Sequence, residues 1–137
     1  MRVFFDSSAF AKRYLDEPGT QRVVEWCEQA TELALSVIAI PEMVSAFCRL
    51  RRERKLTAAQ YERLKGELKA DIADAFICDT TPQVIGHSIQ VLEQHPLRGM
   101  DAIHVGAAVA SAAEVFVSAD MRQCAAARAL GLRVVAI

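Results

Sequence analysis

Short β-prone apolar runs at Val3 to Phe5, Leu33 to Ser36, Ala75 to Cys78, Val115 to Val117 and Arg133 to Ile137 are separated by longer stretches with helical spacing. A short strand that is apolar along its length, rather than alternating, needs cover on both faces, and parallel pairing requires a crossover long enough to hold a helix. Strand and helix following one another along the whole chain therefore predict an α/β fold. Its core is a central, mostly parallel sheet of four to five strands, with helices on both sides in three layers.

The helices are read from spacing and from start and stop signals. Ser7-Ser8 caps a helix over Ala9 to Leu15, Pro18-Gly19 breaks the chain, and Thr20 caps a second helix reaching about Ala30. Ile40, Met43, Val44, Phe47 and Leu50 line one face of a helix that has Pro41 near its start and ends near Lys55. Thr57 opens the next, through Tyr61, Leu64 and Leu68, and Thr81-Pro82 begins one that reaches about Glu93. Asp101 to Ala113 and Met121 to Leu130 complete the set, with Gly131 as C-cap of the last.

A chain of 137 residues, 53% of them hydrophobic, can bury a sizeable core without disulfides, so one domain spanning 1–137 is expected. Cys27, Cys48, Cys78 and Cys124 are far apart with no C-x-x-C pair, which fits reduced thiols of a cytoplasmic protein better than a zinc site or disulfide framework. A formal net charge of -1 leaves no overall field to draw the molecule to nucleic acid or membrane, so any such attraction must be local. The first apolar run meets Asp6 too early for the core of a signal peptide, and Met100 to Ala119 is interrupted by Asp101, His104 and Glu114. No membrane association is expected.

In open parallel sheets, ligands bind outside the carboxyl ends of the strands. Asp6 follows the first strand directly, Asp120 stands just past Val117-Ser118, and Glu42 and Asp101 fall in the first turns of helices. Singly, each is explained by a turn or by the helix dipole. Converging, the four would raise one another's pKa and require protons or a cation between them, and hard oxygen donors suit Mg²⁺ or Mn²⁺. His87, His95 and His104 have no matching serine or cysteine arrangement for nucleophilic catalysis. His104, three residues after Asp101, reads first as a satisfied core histidine.

The strings VFFDSSAFAKRYLDEPGT, IAIPEMVSAF, LRGMDAIHVGAA and VFVSAD, in this order, resemble the PIN-domain family and, within it, the VapC-type toxin ribonucleases. The resemblance spans essentially the whole chain. It implies a PIN-like α/β/α sheet, Mg²⁺ or Mn²⁺ as cofactor, hydrolysis of RNA phosphodiester bonds, a homodimer, and a small antitoxin that blocks the site. Carried over by position, it makes Asp6, Glu42, Asp101 and Asp120 the four family acids, with Asp6 and Asp101 as direct metal ligands. Glu42 and Asp120 would act directly or through water, and Ser7 and Ser118 would support them by hydrogen bonds. Ser118 stands where many relatives carry threonine, and the hydroxyl is retained.

The basic run of Arg49, Arg51, Arg52, Arg54 and Lys55 is a candidate RNA-binding patch, or else a solvated helix end that complements the dipole. Phe10, Tyr14, Val23, Val24, Trp26 and Phe47 exceed what one small core is expected to cover, which places an interface in the first half of the chain. Two other readings compete. A catalytically inactive PIN-like binding module would be marked by loss of an acid, and all four are present. A receiver-type signalling domain would need paired acids after strand one and a late lysine, but Asp6 has no acidic neighbour and no lysine follows Lys69.

Overall fold

The computed structural model describes residues 1–137. The strands are β1 (Arg2–Phe5), β2 (Glu32–Ser36), β3 (Phe76–Cys78), β4 (Val115–Ser118) and β5 (Arg133–Ala136). The helices are α1 (Ser7–Phe10), continued by a 3₁₀ turn over Ala11–Arg13, then α2 (Thr20–Gln29), α3 (Ala39–Arg52), α4 (Ala58–Asp74), α5 (Pro82–Gln94), α6 (Gly99–Ala110) and α7 (Met121–Ala129). All strand pairings are parallel, in the order β3-β2-β1-β4-β5. The chain builds outward from β1 on one side and then returns to its other side with β4, so a crevice opens past the carboxyl ends of β1 and β4.

Successive side chains of β1 serve opposite layers, as the strand period of two requires. Val3 and Phe5 pack with Phe10, Val23, Met43, Phe47, Leu64 and Leu68 beneath α1 to α4. Phe4 packs with Phe116, Val84, Val91, Ala102 and Val105 beneath α5 to α7. The first layer is aromatic, with Phe5, Phe10, Tyr14 and Phe47 in a chain of ring contacts whose centroids lie 5.5 to 5.9 Å apart. In the second, small residues let the helices approach closely. A Cβ on Gly106 of α6 would lie 2.6 Å from Ser88 Oγ and 2.8 Å from the Val84 carbonyl of α5.

Local signals account for the helix starts. Thr57 and Gln60 form a reciprocal capping box at α4, and Thr81 accepts from the Val84 amide ahead of α5, with Pro82 at the first position. Some starts differ from the sequence expectation. Asp6, not the serine pair, caps α1, because its carboxylate accepts from the Ala9 amide. Gly19, with φ of 96°, occupies the cap of α2, while Thr20 Oγ1 turns back to the Leu15 carbonyl. The helix α6 starts at Gly99 and stops at Ala110, ahead of the left-handed Ala112.

The expected location of surplus apolar surface is corrected in part. Phe10, Val23 and Phe47 are fully buried and Tyr14, Val24 and Trp26 half-buried, whereas the exposed large apolar side chains include Ile85, Ile89, Leu92 and Met100 on α5 and the start of α6. Sheet and aromatic packing absorb the first half, while α5 buries only one stripe. The four cysteines are free, and no helix is long and apolar enough to cross a membrane.

Gly106→Ala is expected to destabilise the protein by about 1 to 3 kcal/mol, the usual cost of overpacking, because the carbonyl it meets is backbone and cannot swing away. Urea unfolding measures this. A change below about 0.5 kcal/mol would show that the α5–α6 contact is not tight.

Candidate active site

Asp6 directly follows β1 and has no exposed surface. Its Oδ1 accepts from the Ala9 amide at 2.9 Å, its Oδ2 from Ser118 Oγ at 2.6 Å, and Ser8 Oγ approaches both oxygens at 2.9 and 2.8 Å. The backbone ties the same point to β4, since the Asp6 amide donates to the Val117 carbonyl. Burial pushes the Asp6 carboxyl above its ordinary value of 3.8, against the lowering effect of the Ser118 hydrogen bond, the nearby His104 and the Ala9 and Ser8 donors. No lysine or arginine pairs with it.

Asp120 caps α7, its Oδ1 accepting from the amides of Arg122 and Gln123 at 2.9 and 3.3 Å. Its own amide donates to Ser118 Oγ, so Ser118 links Asp6 to Asp120. Gln123 continues the link: its Nε2 donates to Asp101 Oδ1 at 3.1 Å, while its buried Oε1 has no partner. Glu42 stands in the first turn of α3, where Oε1 accepts from Ser7 Oγ at 3.0 Å and meets His104 Nε2 at 2.5 Å. The His104 hydrogen bond, reinforced by Ser7, holds Glu42 below its ordinary 4.5.

The four acids thus surround one end of the sheet, Asp6 at the centre and three half-buried carboxylates around it. Glu42 and Asp101 line one cavity of about 560 Å³, and Asp101 and Asp120 line a second of about 510 Å³. Asp6 lines neither. No three acidic, histidine or cysteine side chains converge closely enough to form a ready-made cage for an ion. The donor chemistry nonetheless suits Mg²⁺ or Mn²⁺: all four groups are hard oxygen donors, and Asp6 is a buried carboxylate without a countercharge. An ion that keeps several waters needs only one or two direct carboxylates.

Ser118 hydrogen-bonds Asp6 and Ser7 hydrogen-bonds Glu42, while Ser8, which the sequence did not single out, also bonds Asp6. His104 is buried, yet its Nδ1 lacks a partner and its Nε2 faces an acid, so it is not a fully satisfied core residue. Its position three residues from Asp101 was the one signal available. Gln123 carried no signal in the sequence. The basic run divides: Arg49 shares a cavity with Glu42, whereas Arg51 and Arg52 line a different depression beside Cys48, and Arg51 lies over the Tyr61 ring. Arg54 and Lys55 follow the end of α3, with Lys55 paired to Glu53.

The PIN domain family model matches residues 3–129, and the chain belongs to that family. It is 29% identical over 134 residues to Ribonuclease VapC45 of Mycobacterium tuberculosis (strain CDC 1551 / Oshkosh), covering 96% of this chain and 93% of the relative. The same figures hold for Ribonuclease VapC49 of Mycobacterium tuberculosis (strain ATCC 25618 / H37Rv). Among solved structures, VapBC2 from Rickettsia felis bound to a promoter DNA fragment superposes with a TM-score of 0.71 at 15% identity, covering 100% of this chain and 99% of that one. Mycobacterium tuberculosis VapC20, a toxin that cleaves the sarcin-ricin loop, gives 0.70 at 13% identity, covering 98% and 99%. These likenesses match the α/β/α architecture.

Asp6→Asn keeps the shape and removes the buried charge. A raised folded-state pKa means that the wild type loses stability as pH rises from 3.8 through the folded value, and the asparagine variant does not. Glu42, shifted downward, loses its contribution as pH falls, in the opposite sense to Asp6. In metal-free buffer the melting temperature of the variant relative to wild type should therefore increase as pH rises above 3.8. A difference independent of pH would refute burial as the cause.

Proposed function

We propose that this chain is a Mg²⁺- or Mn²⁺-dependent ribonuclease that hydrolyses RNA phosphodiester bonds, the toxin of a pair whose small antitoxin blocks the site. The observation that carries the reading is the ring of three half-buried acids, Glu42, Asp101 and Asp120, around the buried Asp6, none paired with lysine or arginine. The relatives named as ribonucleases support it, as does the fold shared with VapBC2 and with the toxin VapC20.

Asp101 and Asp120, facing one cavity, would hold the metal directly or through water, with the buried Asp6 adding negative charge behind them. A bound divalent ion lowers the pKa of water and offsets charge building on the phosphate. Glu42 has Oε1 occupied by His104 and Ser7, which leaves Oε2 open to accept a proton from the attacking water. Its lowered pKa keeps it in the basic form. Gln123 fixes the orientation of Asp101, and Ser118 that of Asp6.

A second copy covering Ile85, Ile89, Leu92 and Met100 would form the homodimer, since that apolar surface is open to solvent. The receiver reading is disfavoured by strand order as well: the sheet runs β3-β2-β1-β4-β5, whereas receivers place β2 at the edge next to β1.

RNA cleavage is expected in Mg²⁺ or Mn²⁺ and should vanish after exhaustive EDTA treatment. Glu42→Gln should lower turnover by about 10²- to 10⁴-fold, the range of a lost general base, and Asp101→Asn should weaken metal binding at least about tenfold. Cleavage that survives EDTA, or full turnover in both folded variants, overturns the proposal. Titrating in a small antitoxin encoded beside this chain should abolish cleavage stoichiometrically.

A further inference from the structure

We propose that Arg98 and Arg122 form a phosphate subsite that holds the RNA backbone beside the scissile bond; this rests on the ribonuclease reading. Both arginines line the 510 Å³ cavity that also contains Asp101 and Asp120. Arg98 in addition lines the neighbouring cavity with Glu42 and Asp101, so it stands where the two cavities meet. Neither guanidinium lies within 4.0 Å of a carboxylate, and neither donates a side-chain hydrogen bond. Arg2, Arg13 and Arg22 are committed to Glu32, Asp71 and the Ala136 carbonyl, whereas Arg49, Arg52, Arg54 and Arg128 are also unpaired; what sets Arg98 and Arg122 apart is the cavity they share with Asp101 and Asp120.

Arg98 and Arg122 are both exposed, where closing an ion pair with a neighbouring acid would gain little. Staying open around two carboxylates, they leave the cavity with balanced formal charge and ten unshared N–H donors, counting five per guanidinium. A phosphodiester approaching Asp101 and Asp120 is repelled wherever a bound cation does not offset their charge, and the two arginines supply that offset from the protein itself. Arginine's planar fork matches two phosphate oxygens, and a charge-assisted bidentate contact fixes orientation as well as affinity. The backbones that carry the pair are well placed for this. Arg98 immediately precedes α6, and the Arg122 amide is fastened to Asp120 Oδ1 at 2.9 Å in the first turn of α7. The two arginines therefore move with the helix starts that present Asp101 and Asp120. The subsite is separate from the cavity that Arg49 lines, which reaches the acids through Glu42 and shares no residue with it.

The test compares the wild type, R98A/R122A, R98K/R122K and an off-site control, R63A/K69A, on the exposed face of α4. Binding of a fluorescent single-stranded oligoribonucleotide is measured against salt in Mg²⁺, in a Glu42→Gln background that prevents turnover, and cleavage kinetics are measured without that substitution. The alanine pair should bind about tenfold or more weakly and flatten the slope of log affinity against log salt by about 1.4, for two contacts on a single strand. Its kinetic loss should fall mainly on KM. The lysine pair should recover the salt slope, since charge is retained, but not the full affinity. R63A/K69A should match wild type. If the alanine pair does not fold, R98Q/R122Q takes its place.

A salt slope unchanged in the alanine pair, while the wild type cleaves RNA, overturns the subsite and leaves the ribonuclease reading standing. A loss of antitoxin binding with unchanged RNA binding also overturns it, assigning the pair to a protein partner. A wild type that neither binds nor cleaves RNA in Mg²⁺ fails the ribonuclease reading itself.

Discussion

Asp6 is a carboxylate with no exposed surface, held just past the central strand by donors from two separate segments, Ser8 and the Ala9 amide of α1 and Ser118 at the end of β4. Removing an ionised group from water costs several kcal/mol, and charge-assisted hydrogen bonds return about 1.5 to 3 kcal/mol each. The balance holds only while all the donors stay in place, so this one side chain starts α1, locks β1 to β4 and positions the loop that carries Asp120. A cation near the crevice would relieve the remaining penalty. The site and the centre of the fold therefore depend on the same group, and a change that loosens one loosens the other.

Around that centre the two layers solve different packing problems. Beneath α1 to α4 the core is filled by large side chains, and the aromatic contacts leave little apolar surface over. Beneath α5 to α7 it is filled by alanine and by close backbone approach at Gly106. Small residues bring α5 near α6 but give α5 no partner for its outer face, which is why Ile85, Ile89 and Leu92 remain exposed. That exposed face borders the cavity shared by Glu42 and Asp101, so whatever covers it also shapes access to the acids.

Charge is distributed in the same graded way. The buried acid has only neutral donors and a nearby histidine, Glu42 is tuned downward by His104, and the outer acids share their cavity with unpaired arginines. A molecule with a formal net charge of -1 can in this way present opposite signs side by side without a large overall field.

Fold class, strand order along the chain and most helix positions were legible in the sequence, because apolar period and caps such as Thr57 and Thr81 act over a few residues. Asp6, Glu42, Asp101 and Asp120 were also legible as a set, since each follows a strand or opens a helix. Three features were not. Which serine serves which acid depends on the rotation of α1, and there Asp6 took the cap from Ser7 and Ser8. The attachment of Gln123 to Asp101 and of His104 to Glu42 spans 22 and 62 residues, distances over which local pattern carries no information. The division of the basic run, with Arg49 on one side of α3 and Arg51 and Arg52 on another, follows from the helical turn and from which face the core claims. Local chemistry decided what each segment becomes; only packing across the sheet decided which side chains meet, because burial and long-range partners exist once the layers have closed.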